Sequence, residues 1–207
     1  MHGQQYIGLL EMTLRTSSCR SHLRPASGFT LIELMVTIAL VAIMLAIAAP
    51  SFVSFKRNSE LTSIANNFLA ALNAARTEAM KRNMFAMVMP ANNDNDWSKG
   101  WTVFVDANDN GVFDSSDIVV MQQEAPPPYI TLTGNGSTAA TRSYVRYDGS
   151  GFSRPMNSDR PNTTLTIARS DASSDPRQTR RVKIAITGRP KVCTPQSSSD
   201  ATCADSD

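Results

Sequence analysis

The hydrophobic pattern changes along the chain, and each change marks a different kind of element. From Phe29 to Ala49 the residues are apolar on every side, and Glu33 is the one charge in 21 residues. At about 1.5 Å of rise per helical residue, this run spans about 30 Å, the thickness of a bilayer's hydrocarbon core. The pattern therefore predicts a helix segment that can cross a membrane.

After Pro50 the apolar residues recur at spacings of three and four, which is typical of a helix with one buried face. We interpret this stretch as the amphipathic second half of the same helix, with Asn83 as its stop signal. The predicted buried face consists of Leu61, Ile64, Ala65, Phe68, Leu72, Ala75 and Ala79.

From residue 84 onward the alternation has a period of two, which indicates β-strands separated by turn-rich segments. A helix followed by a run of strands is typical of the α+β class, with one antiparallel β-sheet packed against the long N-terminal helix. The predicted strands are residues 84–89, 101–105, 118–122, 129–133, 144–147, 163–168 and 181–187.

The residues that open the apolar run are GFTLIE at positions 28–33. With an uninterrupted apolar helix behind it, this motif resembles the prepilin cleavage and methylation site of type IV pilins and type II secretion pseudopilins. The resemblance implies that a prepilin peptidase cuts after Gly28 and methylates Phe29. It also implies that Glu33 pairs with a neighbouring subunit's amino terminus during assembly, since a buried carboxylate needs a cationic partner. The residues alone leave open an ordinary signal anchor whose Glu33 reaches the membrane interface.

A wider resemblance covers most of residues 28–190. The residues that carry it are the helical run ARTEA at 75–79 and the segment WSKGWTVFVDANDNG at 97–111. In these segments the chain resembles FimT/GspH-type minor pilins and pseudopilins. This implies a pilin-like fold with a helix bend at Pro50, where the proline removes a backbone hydrogen bond. The expected parts are a cleaved leader (1–28, shorter if Met12 is the start), a membrane or filament-core helix half (29–55), a globular domain (56–192) and a flexible or disulfide-looped tail (193–207).

Histidine content argues against the commonest enzyme chemistries. Both histidines, His2 and His22, lie in the expected leader, so the mature chain has no imidazole for a triad, a neutral-pH base or a zinc site. We therefore expect no enzyme and no required cofactor. Three leader arginines predict a cytoplasmic leader, which gives a single-pass inner-membrane protein with a periplasmic domain.

The cysteines are consistent with that compartment. Cys19 leaves with the leader, so the mature chain keeps the pair Cys193 and Cys203. In an oxidising periplasm this pair is expected to form a disulfide that holds the C-terminus. Two free thiols on a disordered tail are the alternative.

One segment matches a calcium-loop template, with oxygen-bearing side chains at alternating positions and a glycine at the sharp turn. The same Asn-Gly run also suits a tight β-hairpin, and the flanks read as strands. The segment is therefore interpreted either as a calcium-binding loop or as a β-turn without a metal. The five candidate ligands are Asp106, Asn108, Asn110, Asp114 and Asp117.

Charge is unevenly distributed, with a net charge of −6 over residues 92–124 and +7 over residues 142–191. In the predicted last strand, cations alternate with Val182, Ile184 and Ile186, so one face would be buried and the other cationic. The following Gly-Arg-Pro-Lys turn resembles the C-terminal Gly-Arg-x-Arg segment with which FimT-type pilins bind DNA, although its last position is lysine. The candidate DNA-binding residues are Arg177, Arg180, Arg181, Lys183, Arg189 and Lys191.

These observations give one leading function and one alternative function. The leading hypothesis is a minor pilin of a type IV pilus, which assembles with major and minor pilins and binds double-stranded DNA without sequence preference. A GspH-like pseudopilin of type II secretion is the alternative function. The basic strand could also be a plain solvated face or a contact with a neighbouring pilin's acidic surface. Trp97 and Trp101 are expected in the core, with base or sugar stacking as the alternative.

Overall fold

The computed structural model describes residues 28–156, 163–172 and 175–204. The chain divides into two compact units, residues 1–46 and 47–207. Apart from Gly28, the expected leader lies outside the described residues.

In the first unit, the described residues are the short segment 28–30 and the start of helix α1, which runs from Leu31 to Arg82. The Thr30 hydroxyl accepts a hydrogen bond from the Glu33 amide at 3.2 Å and so caps the helix. An 18-residue window of α1 has a mean hydropathy of 2.7, and none of it is buried. By length and composition α1 can therefore cross a membrane, and it continues without a break through Pro50.

The second unit adds eight described strands in two antiparallel sheets. The first sheet has the order β3-β2-β1-β5 and the second the order β4-β6-β7-β8. The long helix packed on antiparallel strands confirms the α+β class, although the strands form two sheets where the pattern predicted one. The strands are β1 (Phe85–Pro90), β2 (Trp101–Asp106), β3 (Ile118–Gln123), β4 (Ile130–Gly134), β5 (Val145–Tyr147), β6 (Thr163–Arg169), β7 (Thr179–Ile184) and β8 (Pro190–Cys193).

The end of the basic strand differs from the prediction. Strand β7 ends at Ile184, so the predicted burial of Ile186 is wrong, and this side chain is 47% exposed in the turn that leads to β8. Gly188 has a φ of +77°, a conformation that favours glycine, and it allows the chain to reverse. Strand β8 was missed because it is short and begins with Pro190, which suits an edge strand but hides the strand pattern.

The buried face of α1 packs against both sheets in one hydrophobic core. Phe68 lies at its centre, fully buried, with its ring edge-to-face with Trp97 at 5.3 Å and with Trp101 at 5.2 Å. Both tryptophans are buried, so the alternative in which they stack on a ligand is wrong. The Trp97 indole N–H donates to the Thr138 carbonyl at 2.9 Å, which satisfies its polar group inside the core.

The first sheet is also covered on its other face. Met87, Met89, Phe104 and Tyr144 form a second buried cluster, and Phe113 from the loop before β3 packs on it. Residues 84–89 are nearly all apolar, so they depart from the period of two that the sequence analysis assigned to them, and burial of β1 on both faces explains the departure.

Candidate functional site

The residues of the expected processing site lie at the start of the described chain. Gly28 and Phe29 precede α1 and are exposed, and a Cβ added at Gly28 would meet nothing within 4 Å. Within the described part of the chain, no contact therefore requires glycine at that position. Glu33 lies in the first turn of α1, where a carboxylate also complements the helix dipole.

Strands β7 and β8 form a cationic hairpin. Lys183 lies directly opposite Lys191 in the register, and like charges at such a position repel each other. Together with Arg189 they line a depression of about 430 Å³, to which Thr187 and Thr202 also contribute. Three cations and two hydroxyl groups around one depression are suited to an anionic ligand.

The turn of this hairpin is held in place from α1. The Arg76 guanidinium donates to the Gly151 carbonyl at 2.9 Å and to the Thr187 carbonyl at 3.4 Å. Gly188 lies so close to the neighbouring turn that a Cβ there would stand 1.9 Å from the Gly151 oxygen. The position of Arg189 on the hairpin is therefore fixed by close backbone packing.

The C-terminal loop forms one side of the depression. Cys193 and Cys203 are joined by a disulfide with an S–S distance of 1.94 Å. Arg181 donates a hydrogen bond to the Cys203 carbonyl, which ties the loop to β7. Within the loop, Asp200 accepts from the Thr202 hydroxyl and from the Gln196 amide, and these bonds lower the pKa of Asp200 to about 2.

Three of the six candidate DNA-binding cations, Arg177, Arg180 and Arg181, do not line the depression. Arg180 lies on the same side of β7 as Val182, and its guanidinium donates to Asn58 and to the Thr62 hydroxyl at 3.1 Å each. Burial lowers the pKa of Arg180, so this side chain belongs to the contact between β7 and α1. Arg177 lies before β7 and pairs with Asp175 at 3.1 Å. The six candidate residues therefore do not share one cationic surface, because strand alternation turns Arg180 inward; DNA binding by them stays a prediction.

One polar feature that the sequence did not predict is the ion pair between Arg169, the last residue of β6, and Asp171. Arg169 is 3% exposed and bonds Asp171 at 2.8 Å and the Ser54 carbonyl at 3.1 Å. Asp171 also accepts from Arg57 at 2.6 Å. The Arg169 and then the Arg57 guanidinium hold the pKa of Asp171 well below its usual range. In the sequence, Arg169 counted only as part of a basic region.

The acidic loop between β2 and β3 is closed by its own hydrogen bonds. Asp106 accepts from the amides of Asn110 and Gly111, and Asp117 accepts from the amide of Asp114. The hydroxyl and amide of Ser116, followed by the Asn110 side chain, lower the pKa of Asp114. Among the described residues, no group of three or more His, Cys, Asp or Glu side chains is placed to hold a metal ion. Calcium binding by Asp106, Asn108, Asn110, Asp114 and Asp117 stays a prediction.

Comparisons with known proteins identify two matching regions. The family model described as "Type II transport protein GspH" matches residues 65–188, and the "Prokaryotic N-terminal methylation motif" matches residues 23–49. The search of curated proteins gave no significant match.

The comparison with solved structures gives matches to two kinds of protein. A crystal structure of the type IV minor pilin FimU of Pseudomonas aeruginosa shares 22% identity, with a TM-score of 0.50, and the match covers 69% of this chain and 98% of that one. The minor pseudopilin EpsH of the Vibrio cholerae type 2 secretion system shares 17% identity, with a TM-score of 0.48, over 67% of this chain and 99% of that one.

The matched family region contains the last part of α1, with the buried stripe from Ala65 onward, and the strands from β1 to β7. It also contains the turn with Gly188, whereas β8 and the disulfide loop lie beyond it. The family consists of structural subunits that assemble with other pilins and not of enzymes. Because the match extends over more than half of the chain, this protein belongs to the GspH family of minor pilins and pseudopilins.

Proposed function

We propose that this protein is a minor pilin of a type IV pilus, anchored in the inner membrane by α1, with its globular domain in the periplasm before assembly. Cleavage after Gly28, methylation of Phe29 and pairing of Glu33 with a neighbouring subunit belong to this proposal. The methylation motif over residues 23–49 and the exposed apolar half of α1 support it.

The second part of the proposal is that the cationic hairpin binds double-stranded DNA for natural transformation. The observation that carries it is the depression lined by Lys183, Arg189 and Lys191. Lysine meets a phosphate as a point charge, whereas the planar guanidinium of Arg189 can bind two phosphate oxygens at once. Contacts of this kind go to the DNA backbone, so binding would be independent of sequence and sensitive to salt.

We expect the double variant Arg189→Ala/Lys191→Ala to bind DNA more weakly than the wild type. A gel-shift titration of residues 47–207, the second compact unit, against double-stranded DNA at several salt concentrations measures this. Losing two phosphate contacts should reduce the slope of log K against log salt by about 2 in magnitude.

The matched control is the double variant Lys56→Ala/Arg142→Ala, which removes two exposed cations distant in sequence from the hairpin. Its net charge equals that of the Arg189→Ala/Lys191→Ala variant. Equal weakening in both double variants would mean that total charge and not the hairpin drives binding. No DNA binding by the wild type at low salt would remove DNA from the proposal and leave the assembly role.

The assembly role predicts a different defect. Glu33→Ala should be processed to the mature size and remain in the membrane, but it should be depleted from sheared surface filaments. The reason is that no carboxylate remains to pair with the neighbouring amino terminus among apolar helices. Immunoblots of membrane and filament fractions measure this, with Glu124→Ala as the control at an exposed carboxylate of the globular domain. Normal amounts of Glu33→Ala in filaments would contradict the role.

A pseudopilin of type II secretion is the second candidate, and it is favoured by the name of the matching family model. The phenotype of a strain that lacks this protein distinguishes the two functions. Loss of pilus-dependent DNA uptake with normal protein export supports the pilin, whereas accumulation of exported proteins in the periplasm supports the pseudopilin.

A further inference from the structure

The apolar surface of α1 continues beyond the membrane-length run. After Ala49 the helix carries Phe52 and Phe55, whose side chains are 67% and 71% exposed. Two cations, Lys56 and Arg57, follow directly. Exposed aromatic side chains followed by cations are typical of a helix segment at the boundary between lipid tails and headgroups.

The helical rise gives the depth of this segment. An apolar run that fills a hydrocarbon core of about 30 Å ends at Ala49, and the headgroup layer adds about 5–8 Å on each side. At about 1.5 Å per residue, Ser54 lies about 8 Å and Arg57 about 12 Å beyond Ala49 along the helix axis. With α1 anchored in the membrane as proposed above, residues 50–57 therefore pass through the headgroup layer and reach its outer surface.

The turn between β6 and β7, described at residues 170–172 and 175–178, is held against the same segment of α1. Arg169, the last residue of β6, donates to the Ser54 carbonyl at 3.1 Å. Asp171, in the turn, pairs with Arg57 at 2.6 Å. Both contacts join the turn to residues 54–57 of the helix. This part of the globular domain therefore lies at the level of the lipid headgroups.

Cations outnumber carboxylates at this level. Residues 54–60 carry two cations and one carboxylate, and residues 169–172 and 175–180 carry three cations and two carboxylates, which gives a net charge of +2. The two most exposed cations are Lys56 and Arg177, whose side chains are 68% and 69% exposed. Their carboxylate partners lie at 3.9 Å and 3.1 Å. Exposed ion pairs of this kind are weak in water, so both cations are available to an anionic surface.

We propose that this end of the globular domain, residues 54–57 together with the β6–β7 turn, binds anionic phospholipid headgroups of the membrane that α1 spans. Lys56 and Arg177 contact lipid phosphates, and Phe52 and Phe55 lie against the upper part of the acyl chains. Attraction to an anionic surface falls off within a Debye length, so only cations held at this depth take part. The contact orients the globular domain over the bilayer before assembly, which the apolar run alone does not do.

Quenching of a fluorophore by lipids with a nitroxide on the headgroup measures this contact. The full-length chain carries Cys19→Ser, which leaves no free thiol because Cys193 and Cys203 are joined by a disulfide. Ser170→Cys, at an exposed position of the β6–β7 turn, then takes the fluorophore. The labelled protein is reconstituted into phosphatidylcholine vesicles with and without phosphatidylglycerol, which is anionic.

The matched control label is placed at Ser150→Cys, another exposed serine in a turn. The turn of Ser150 packs on Met80, which lies about 35 Å further along α1 than Arg57. In vesicles with phosphatidylglycerol, we expect the label at residue 170 to be quenched at least several-fold more than the label at residue 150. The difference should become smaller at high salt, because ions screen the attraction.

A charge variant distinguishes lipid binding from simple proximity to the membrane. Adding Lys56→Gln/Arg177→Gln to the chain labelled at residue 170 should lower its quenching to the level seen without phosphatidylglycerol. The control Lys99→Gln/Arg154→Gln also removes one lysine and one arginine from exposed ion pairs, and it should leave the quenching unchanged. Equal effects of the two double variants would contradict the proposal.

Extraction with alkaline carbonate is measured first, because it tests the membrane anchor separately. A chain that is extracted from the vesicles contradicts the proposed anchor and the headgroup contact with it. A chain that is retained, with equal quenching of the labels at residues 170 and 150, overturns the headgroup contact and leaves the anchor. Quenching at residue 170 that is the same with and without phosphatidylglycerol would overturn the binding of anionic lipid.

Discussion

We expect Phe68→Ala to lower the free energy of unfolding by about 3–5 kcal/mol, the usual range for removing a fully buried aromatic ring. The ring lies at the junction of α1 with the segment that carries Trp97 and Trp101, and its loss leaves both indole rings without their edge-to-face partner. Neighbouring helix residues such as Ala65 and Leu72 are already packed and cannot fill the space. Urea denaturation of residues 47–207, followed by tryptophan fluorescence, measures the change directly.

The matched control is Phe152→Ala, which removes the same ring from a 43% exposed position. It should cost about 1 kcal/mol or less, because little apolar area is buried there. Similar losses in the two variants would contradict the central position of Phe68 in the core.

We expect Asp171→Ala to lower the free energy of unfolding as well. The change leaves the buried Arg169 guanidinium with the Ser54 carbonyl and Gln178 as its described partners, and an uncompensated buried charge is costly. We expect a loss of about 2–4 kcal/mol, less than for a fully buried pair because the Asp171 side chain is 29% exposed. Arg57 loses its carboxylate partner in the same variant.

The pH dependence provides a separate signature of this ion pair. Because the pKa of Asp171 is lowered in the folded state, the stabilisation is complete above about pH 4, where an unfolded aspartate is ionised, and it is lost as the pH falls. The difference in melting temperature between the wild type and Asp171→Ala should therefore be largest near neutral pH and become smaller below about pH 4. A difference that is constant with pH would mean that packing and not charge explains the loss.

Two further variants isolate the charge effect. Arg177→Ala removes an exposed partner of a surface ion pair and should change stability by less than about 0.5 kcal/mol. The double variant Arg169→Met/Asp171→Ala removes both charges and should recover part of the stability lost in Asp171→Ala alone. A double variant less stable than Asp171→Ala would contradict an uncompensated charge as the cause.

The sequence predicted those elements whose signal is local. The stripe from Leu61 to Ala79 has the helical period and is the face that the structure buries, and Asn83, with a φ of 52°, lies just after the last helical residue. The division of the strands into two sheets depends on pairing between residues distant in sequence, such as Ile130 with Arg169. No periodicity reports such pairing, so the alternation predicted strands but not their partners.

The role of each charged residue was also only partly predictable from the sequence. Lys183, Arg189 and Lys191 were chosen for a cationic surface, and they do line one depression. Arg146 and Arg169 were counted as the same kind of charge, yet one packs over the Phe85 ring and the other lies buried beside Asp171. Net charge over a segment cannot separate a side chain that faces water from one that holds two elements together. Only the fold makes this distinction.

Gly188 packs closely on the adjacent turn, and this packing limits how the hairpin can vary among related proteins. The backbone there is fixed, since any larger residue at 188 would collide with the Gly151 oxygen. Positions 185, 187 and 189 are exposed, and their side chains line the depression. Mutation can therefore change the charge and the lining of the depression without changing the shape of the turn. Evolution is thus expected to keep the glycine and to diversify the residues around it, so that one framework carries depressions of different charge.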